Sequence, residues 1–232
     1  MDKQTQEDII TSGADRAGFY RFLAGVYLWE PKEAQIEAMA NAGFPVGEDP
    51  FGRGYALIAE YLRHRDTGTR QQIAVDYAHT FLGAGNYDKL MAPPFESVYT
   101  SEEHLLMQDA RDGALSFYRS EGLDLPEENT TPEDHVGFEM QFMATLVERC
   151  CAALEAGDEA EFARLVRVQR EFYAQHLANW LPAFVADIER HCKTDYYRGM
   201  AQLTRAFLEE EAEQLEGLAA EASALAQGGT GR

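Results

Sequence analysis

A chain of 232 residues with 45% hydrophobic content can bury a sizeable core in one large domain or two small ones. Forty Asp and Glu against twenty Lys and Arg leave a formal net charge of −20. Such a field repels nucleic acid and anionic membrane surfaces and attracts cationic partners, although solubility accounts for most of these charges.

The three cysteines, Cys150, Cys151 and Cys192, include an adjacent pair and no Cys-x-x-Cys, which argues against a disulfide framework or a zinc site. Reduced thiols acting as small core residues fit a cytoplasmic protein. Residues 1–18 lack the basic start and apolar run of a signal peptide, and no apolar stretch is long enough to cross a bilayer.

Helical periodicity runs through nearly the whole chain. Ile9, Ile10, Ala17, Tyr20, Leu23, Ala24 and Tyr27 recur at spacings of three and four, predicting a helix over 6–29 that Pro31 ends. Shorter helices follow at 32–41, 55–65 and 69–83, with Gly43, Pro45, Gly83 and Gly85 as stop signals. Residues 84–100 carry two adjacent prolines and no helical period. They read as a long loop that packs down through Leu90, Met91, Phe95, Val98 and Tyr99. "ESVYT" within it is the one short strand candidate.

Thr100-Ser101-Glu102-Glu103 has the spacing of a capping box, predicting a helix from there to Ser120. After a second loop, helices are expected over 132–156, 158–178, the segment "WLPAFVADIERHC", and 194–225. The far end of the last one bears Glu209, Glu210, Glu211, Glu213, Glu216 and Glu221 without Lys or Arg, and reads as a solvated extension; residues 226–232 read as a disordered tail. The expected fold is all-α: a single-domain helical bundle of roughly eight to ten helices with long functional loops, spanning 1–225.

"TPEDHVGFE" (131–139) concentrates candidate chemistry. Thr131 suits an N-cap, Pro132 the first helical position, and Glu133 and Asp134 the first turn beside the positive helix end. His135 is not explained that way. His135 and Glu139 share a helix face and could ligate a metal, with Glu96 and His79 as further ligands, but neither His-Glu-x-x-His nor Glu-x-x-His occurs. A phosphate-binding loop and a nucleophile elbow are absent too.

Five segments in order resemble the TorD/DmsD/NarJ family of redox-enzyme maturation chaperones, closest to its TorD-like branch. They are "RAGFYRFLAGVYLWEP", "DYAHTFLG" (76–83), "PPFESVYTSEEHLLMQ" (93–108), "EGLDLPEENTTPEDHVGFEMQFMATL" (121–146) and "HLANWLPAF" (176–184). The resemblance covers residues 15–208 and implies a cytoplasmic, non-catalytic, all-helical chaperone without cofactor. Its implied partners are the twin-arginine signal peptide and the apo form of a molybdopterin-containing reductase. It implies no nucleic acid and no stable membrane insertion, and leaves monomer and dimer open.

Carried over position by position, the implied peptide-binding residues are Tyr77, Phe81, Glu96, Ser97, Tyr99, Asp134, His135 and Glu139, with Gly83, Pro94 and Pro132 as further matching positions. Asp134 or Glu96 would meet the arginines, and Tyr77, Phe95 and Tyr99 the apolar part. His135 would pivot between the two loops. Against this stand two other readings: a helical metal-dependent enzyme built on His135 and Glu139, and an adaptor using the acidic face for a helical partner. For Tyr77, Phe81, Phe138, Phe142 and Trp180, ordinary core packing carries more weight than a binding role.

Overall fold

The computed structural model describes residues 2–85 and 91–228, without the side chains of 226–228. Ten α-helices follow in chain order among them: α1 (Lys3–Leu28), α2 (Glu33–Ala40), α3 (Pro50–Arg63), α4 (Thr69–Phe81), α5 (Glu96–Thr100), α6 (Asp109–Ser120), α7 (Val136–Glu155), α8 (Glu159–Phe172), α9 (Leu181–His191) and α10 (Asp195–Gly228). Between α8 and α9 the chain widens into a π-helical turn, Tyr173–Leu177. No strand forms among the described residues, and none of their helices is long and apolar enough to cross a membrane.

The predicted helices are present, with ends set by caps that the sequence hides. Asp49 accepts from Gly52 N and Pro50 occupies the first turn, so α3 starts earlier than its apolar run suggests. "ESVYT" is α5, a helical turn; a lone antiparallel bridge joins Phe95 to His135 beside it. The capping box at Thr100–Glu103 does not open a helix, and α6 begins only at Asp109. Ser97 Oγ accepts from Gln108 N (3.1 Å) and Val98 O faces His104 Nδ1 (2.8 Å), so 101–108 is curled back onto α5 instead. Leu90 of the expected loop and the tail residues 229–232 lie outside the described residues, while the backbone of 226–228 continues α10.

Long helices enclose one aromatic-rich core. Helix α1 lies along α7, and α3 crosses α10. That second crossing brings backbones together: a Cβ on Gly199 would sit 2.7 Å from the carbonyl of Gly54, so the contact tolerates no side chain. Tyr27 (α1), Phe81 (α4) and Phe184 (α9) meet edge-on or tilted at 5.2–6.1 Å, with Tyr197 (α10) against Phe81 at 5.3 Å. Tyr27 and Phe81 stand at positions that the sequence offered as a helix face and as core.

The acidic far end of α10 is not simply a solvated extension. Glu211 is buried and accepts from Nε and Nη2 of Arg16 from α1, at 2.8 and 2.5 Å; Gln169 of α8 accepts from the same Nη2 at 3.1 Å. Glu216 pairs with Arg170 of α8 at 2.7 Å. The compensating cations sit on neighbouring helices, where inspection of α10 alone does not find them.

Candidate functional site

Two loops meet where the signature segments converge. Val136 N donates to Pro94 O (2.9 Å) and Glu96 N to Asp134 O (3.0 Å), which lashes the entry of α5 to the entry of α7. The Asp134 carboxylate then accepts from Ser97 N at 2.9 Å, capping α5 from another loop. The rings of Phe95 and His135 close the junction edge-on at 5.0 Å.

Helix α7 starts at Val136, not at the expected Pro132. His135 is its N-cap, with Nδ1 accepting from Gly137 N at 3.0 Å. Asp134 cannot serve the first turn because its side chain is turned to α5. An accepting Nδ1 must be unprotonated, and burial supplies the reason: it pushes the imidazole down to about 3. His135 is therefore a neutral capping group, which answers why a histidine stands where a cation gains nothing from the helix dipole.

Below this junction lies a buried polar node. Glu96 Oε2 faces His176 Nδ1 at 2.7 Å, and Glu96 Oε1 accepts from Asn179 Nδ2 at 2.6 Å. Trp180 Nε1 divides its proton between the His176 carbonyl (2.7 Å) and Glu139 Oε2 (3.3 Å). His176 lies in the π-helical turn, stacked on Phe172 at 5.0 Å. On its other side Gly113 leaves room for the ring: a Cβ there would be 2.8 Å from His176 Cε1. The wider turn aims His176 and Asn179 at one carboxylate, a role often found for π-bulges.

Three carboxyl groups share this interior. Glu96, Asp134 and Glu139 are 2%, 0% and 0% exposed. Burial holds Glu139 well above the usual glutamate range, and the charges of Glu96 and Asp134 push it the same way. Burial also raises Asp134, against the opposing hydrogen bonds from Ser97. Glu139 Oε1 has no donor facing it, so the protonated carboxyl is the form that fits beside Glu96.

The sequence profile of the family described as "Nitrate reductase delta subunit" matches residues 48–186, more than half of the chain. This chain belongs to that family, which is the TorD/NarJ family. Its relatives include the chaperone protein TorD of Psychrobacter sp. (strain PRwf-1), 26% identical over 213 residues, spanning 88% of this chain and 93% of the relative. TorD of Vibrio cholerae serotype O1 (strain ATCC 39541 / Classical Ogawa 395 / O395) is 27% identical over 211 residues with the same coverage. The fold is similar to a crystal structure described as that of a candidate redox enzyme maturation protein from Archaeoglobus fulgidus, with a TM-score of 0.50, 19% identity, and coverage of 85% of this chain and 93% of the other.

For a TorD-type maturation chaperone, the node is notable for what it gathers. Glu96, Ser97, Asp134, His135 and Glu139 lie together at the node, and all are buried. In this conformation neither Asp134 nor Glu96 offers an oxygen to an arginine from outside. Tyr77 and Phe81 stand apart: Tyr77 donates to the Tyr27 carbonyl at 2.9 Å, and both rings belong to the aromatic core. Half-buried Tyr99 bridges the two regions, packing on Trp180 at 5.3 Å and facing Asp187 at 3.4 Å.

His176, Asn179 and Trp180 were not among the expected site residues. Their signal was present in "HLANWLPAF", where the three polar groups recur at helical spacing. Asp76, three residues before His79, accepts from Lys193 N, Thr194 N and Thr194 Oγ1 at 2.9, 2.8 and 2.7 Å at the start of α10.

Among the described residues, Glu96, Glu139 and His176 form the group that a metal ion could bridge, with ligand atoms within 4.8 Å of one another; His135 and His79 are not in it. Both oxygens of Glu96 are already engaged by His176 and Asn179, and a cation would need Glu139 deprotonated.

Proposed function

We propose that this TorD-type chaperone acts in the cytoplasm, as a monomer or dimer, on a molybdopterin-containing oxidoreductase. It binds the enzyme's twin-arginine signal peptide and apo body, and holds them until cofactor insertion precedes export. The observation that carries this reading is the convergence of three separated signature segments on one node in a member of this family: Pro94–Ser97, Asp134–Glu139 and His176–Trp180. The physical fit supports it. Two guanidiniums followed by an apolar run need carboxylates beside apolar surface, and the chain carries a net −20. Since Asp134 and Glu96 are internal, their part is to set the shape of α5 and its flanking loops, and the peptide meets what those loops present.

Isothermal titration of the purified protein with a synthetic twin-arginine signal peptide of a molybdenum reductase tests this. Micromolar or tighter binding, about −8 kcal/mol, that is lost when both arginines become glutamine is expected. Equal binding of both peptides, or of neither, would sink the reading.

A further inference from the structure

The segment between α5 and α6 is exposed, apolar and held in one shape. Leu105, Leu106 and Met107 are 52%, 41% and 60% exposed. The other exposed large apolar residues among those described, Trp29, Val46, Val75 and Leu82, occur singly. Three in a row on a surface mark a contact that folding itself does not use.

The run is not slack. His104 and Met107 have φ of +54° and +60°, the left-handed region that non-glycine residues adopt only where their surroundings impose it. The imposing bonds are His104 Nδ1 to Val98 O, Leu105 N to Ser101 Oγ (3.3 Å), Gln108 N to Ser97 Oγ and Gln108 Nε2 to Leu106 O (2.9 Å). Ser97 is itself fixed by Asp134. The buried node thus reaches the surface through one serine and displays three apolar side chains there.

Negative charge borders the display. Exposed Glu102 and Glu103 precede it and Asp109 follows; none has an ion-pair partner among the described residues, whereas Asp112 is matched by Arg111. An apolar ridge rimmed by unmatched carboxylates complements a segment that joins arginines to an apolar run, and repels an acidic one.

We propose that residues 101–109 are the docking element for the signal peptide, with its apolar run on Leu105, Leu106 and Met107 and its guanidiniums against Glu102, Glu103 and Asp109. The inference rests on the peptide-binding reading above and names the surface that performs it.

The test compares wild type with two variants, Leu105→Ser/Leu106→Ser/Met107→Ser and Glu102→Gln/Glu103→Gln. Both alter exposed side chains and are checked for unchanged far-UV circular dichroism and melting temperature. The probes are the twin-arginine peptide and a version with its apolar run replaced by serines. The triple variant is expected to bind the intact peptide at least tenfold more weakly. The double variant should bind it several-fold more weakly, with a shallower salt dependence. The serine peptide, which keeps its arginines, should bind wild type and the triple variant equally weakly and the double variant more weakly still.

If wild type binds the intact peptide and the triple variant binds it as tightly, the loop assignment is wrong and the parent reading stands. If wild type binds nothing, both fall. If the triple variant keeps peptide affinity but loses a dimer seen for wild type by size-exclusion chromatography, the ridge is a self-contact and the assignment is overturned.

Discussion

Glu96 and Glu139 bring carboxyl oxygens within 4.8 Å of each other inside the protein, beside the imidazole of His176. Two carboxylates at that separation in a dry interior cannot both ionise cheaply, and the fully buried Glu139 is the one that keeps its proton. Its folded value lies above the ordinary 4.5. The stability it contributes is therefore complete below 4.5 and is lost as pH rises from there through the folded value.

Glu139→Gln removes that loss while leaving an acceptor for Trp180 and a donor toward Glu96. The variant should match wild type near pH 4.5 and exceed it at pH 8. The gain is about 1.4 kcal/mol for each pH unit by which the folded value exceeds 4.5, up to the working pH. Glu139→Ala, which leaves a void and Trp180 Nε1 with the His176 carbonyl alone, should cost about 1–3 kcal/mol near pH 4.5 and less at pH 8, where it removes the same loss. Denaturant melts at the two pH values decide; a glutamine variant with the wild-type pH slope would refute a retained proton.

His135 imposes the opposite slope. Its ordinary value of 6.5 falls to about 3 on burial, so the unfolded chain takes up a proton that the folded chain refuses. Stability is complete above 6.5 and declines as pH falls toward 3. His135→Asn, a good N-cap that does not titrate, should flatten the acid limb of the stability curve. His135→Ala should lose about 1 kcal/mol of cap even at pH 8. Unfolding midpoints between pH 4 and 8 for the three proteins measure both effects.

Much of this architecture was legible in advance because it is local. Spacings of three and four apolar residues located the long helices, and prolines and glycines located their ends. What stayed hidden was set by partners distant in sequence. Thr131–Asp134 carries every local sign of a helix start, yet Asp134 is claimed by Ser97, 37 residues away, and the helix waits for His135. Thr100–Glu103 fails likewise, since Ser97 and Val98 hold 101–108 back. The signature residues themselves were found by resemblance; their burial was not, because a carboxylate buried against an imidazole looks in sequence like one on a surface.

The pair formed by Arg16 and Glu211 tests such distant partnership directly. Both side chains are nearly excluded from solvent, and the contact is two-pronged. Glu211→Ala leaves a buried guanidinium with Gln169 alone and should cost about 3–5 kcal/mol. Arg16→Met/Glu211→Leu, which removes both charges and keeps the volume, should cost far less. A double-mutant cycle by urea unfolding gives the coupling. Near-additive losses would mean that α10 is held to α1 by its apolar contacts instead.

Ser97 is the link between the buried node and the surface ridge. Its backbone N–H is held by Asp134, and its hydroxyl oxygen holds Gln108 N. Ser97→Ala keeps the first bond and removes the second, so α5 should stay in place while the end of the 101–108 loop comes free. The global cost should be about 1 kcal/mol, the ordinary worth of one hydrogen bond. The local effect should be larger: with fewer bonds to impose them, the left-handed conformations of His104 and Met107 relax. Amide hydrogen exchange should then accelerate at Gln108 and its neighbours without change in α7 or α9. Uniform acceleration across the protein would mean that Ser97 serves stability at large, and that the ridge keeps its shape without the node beneath it.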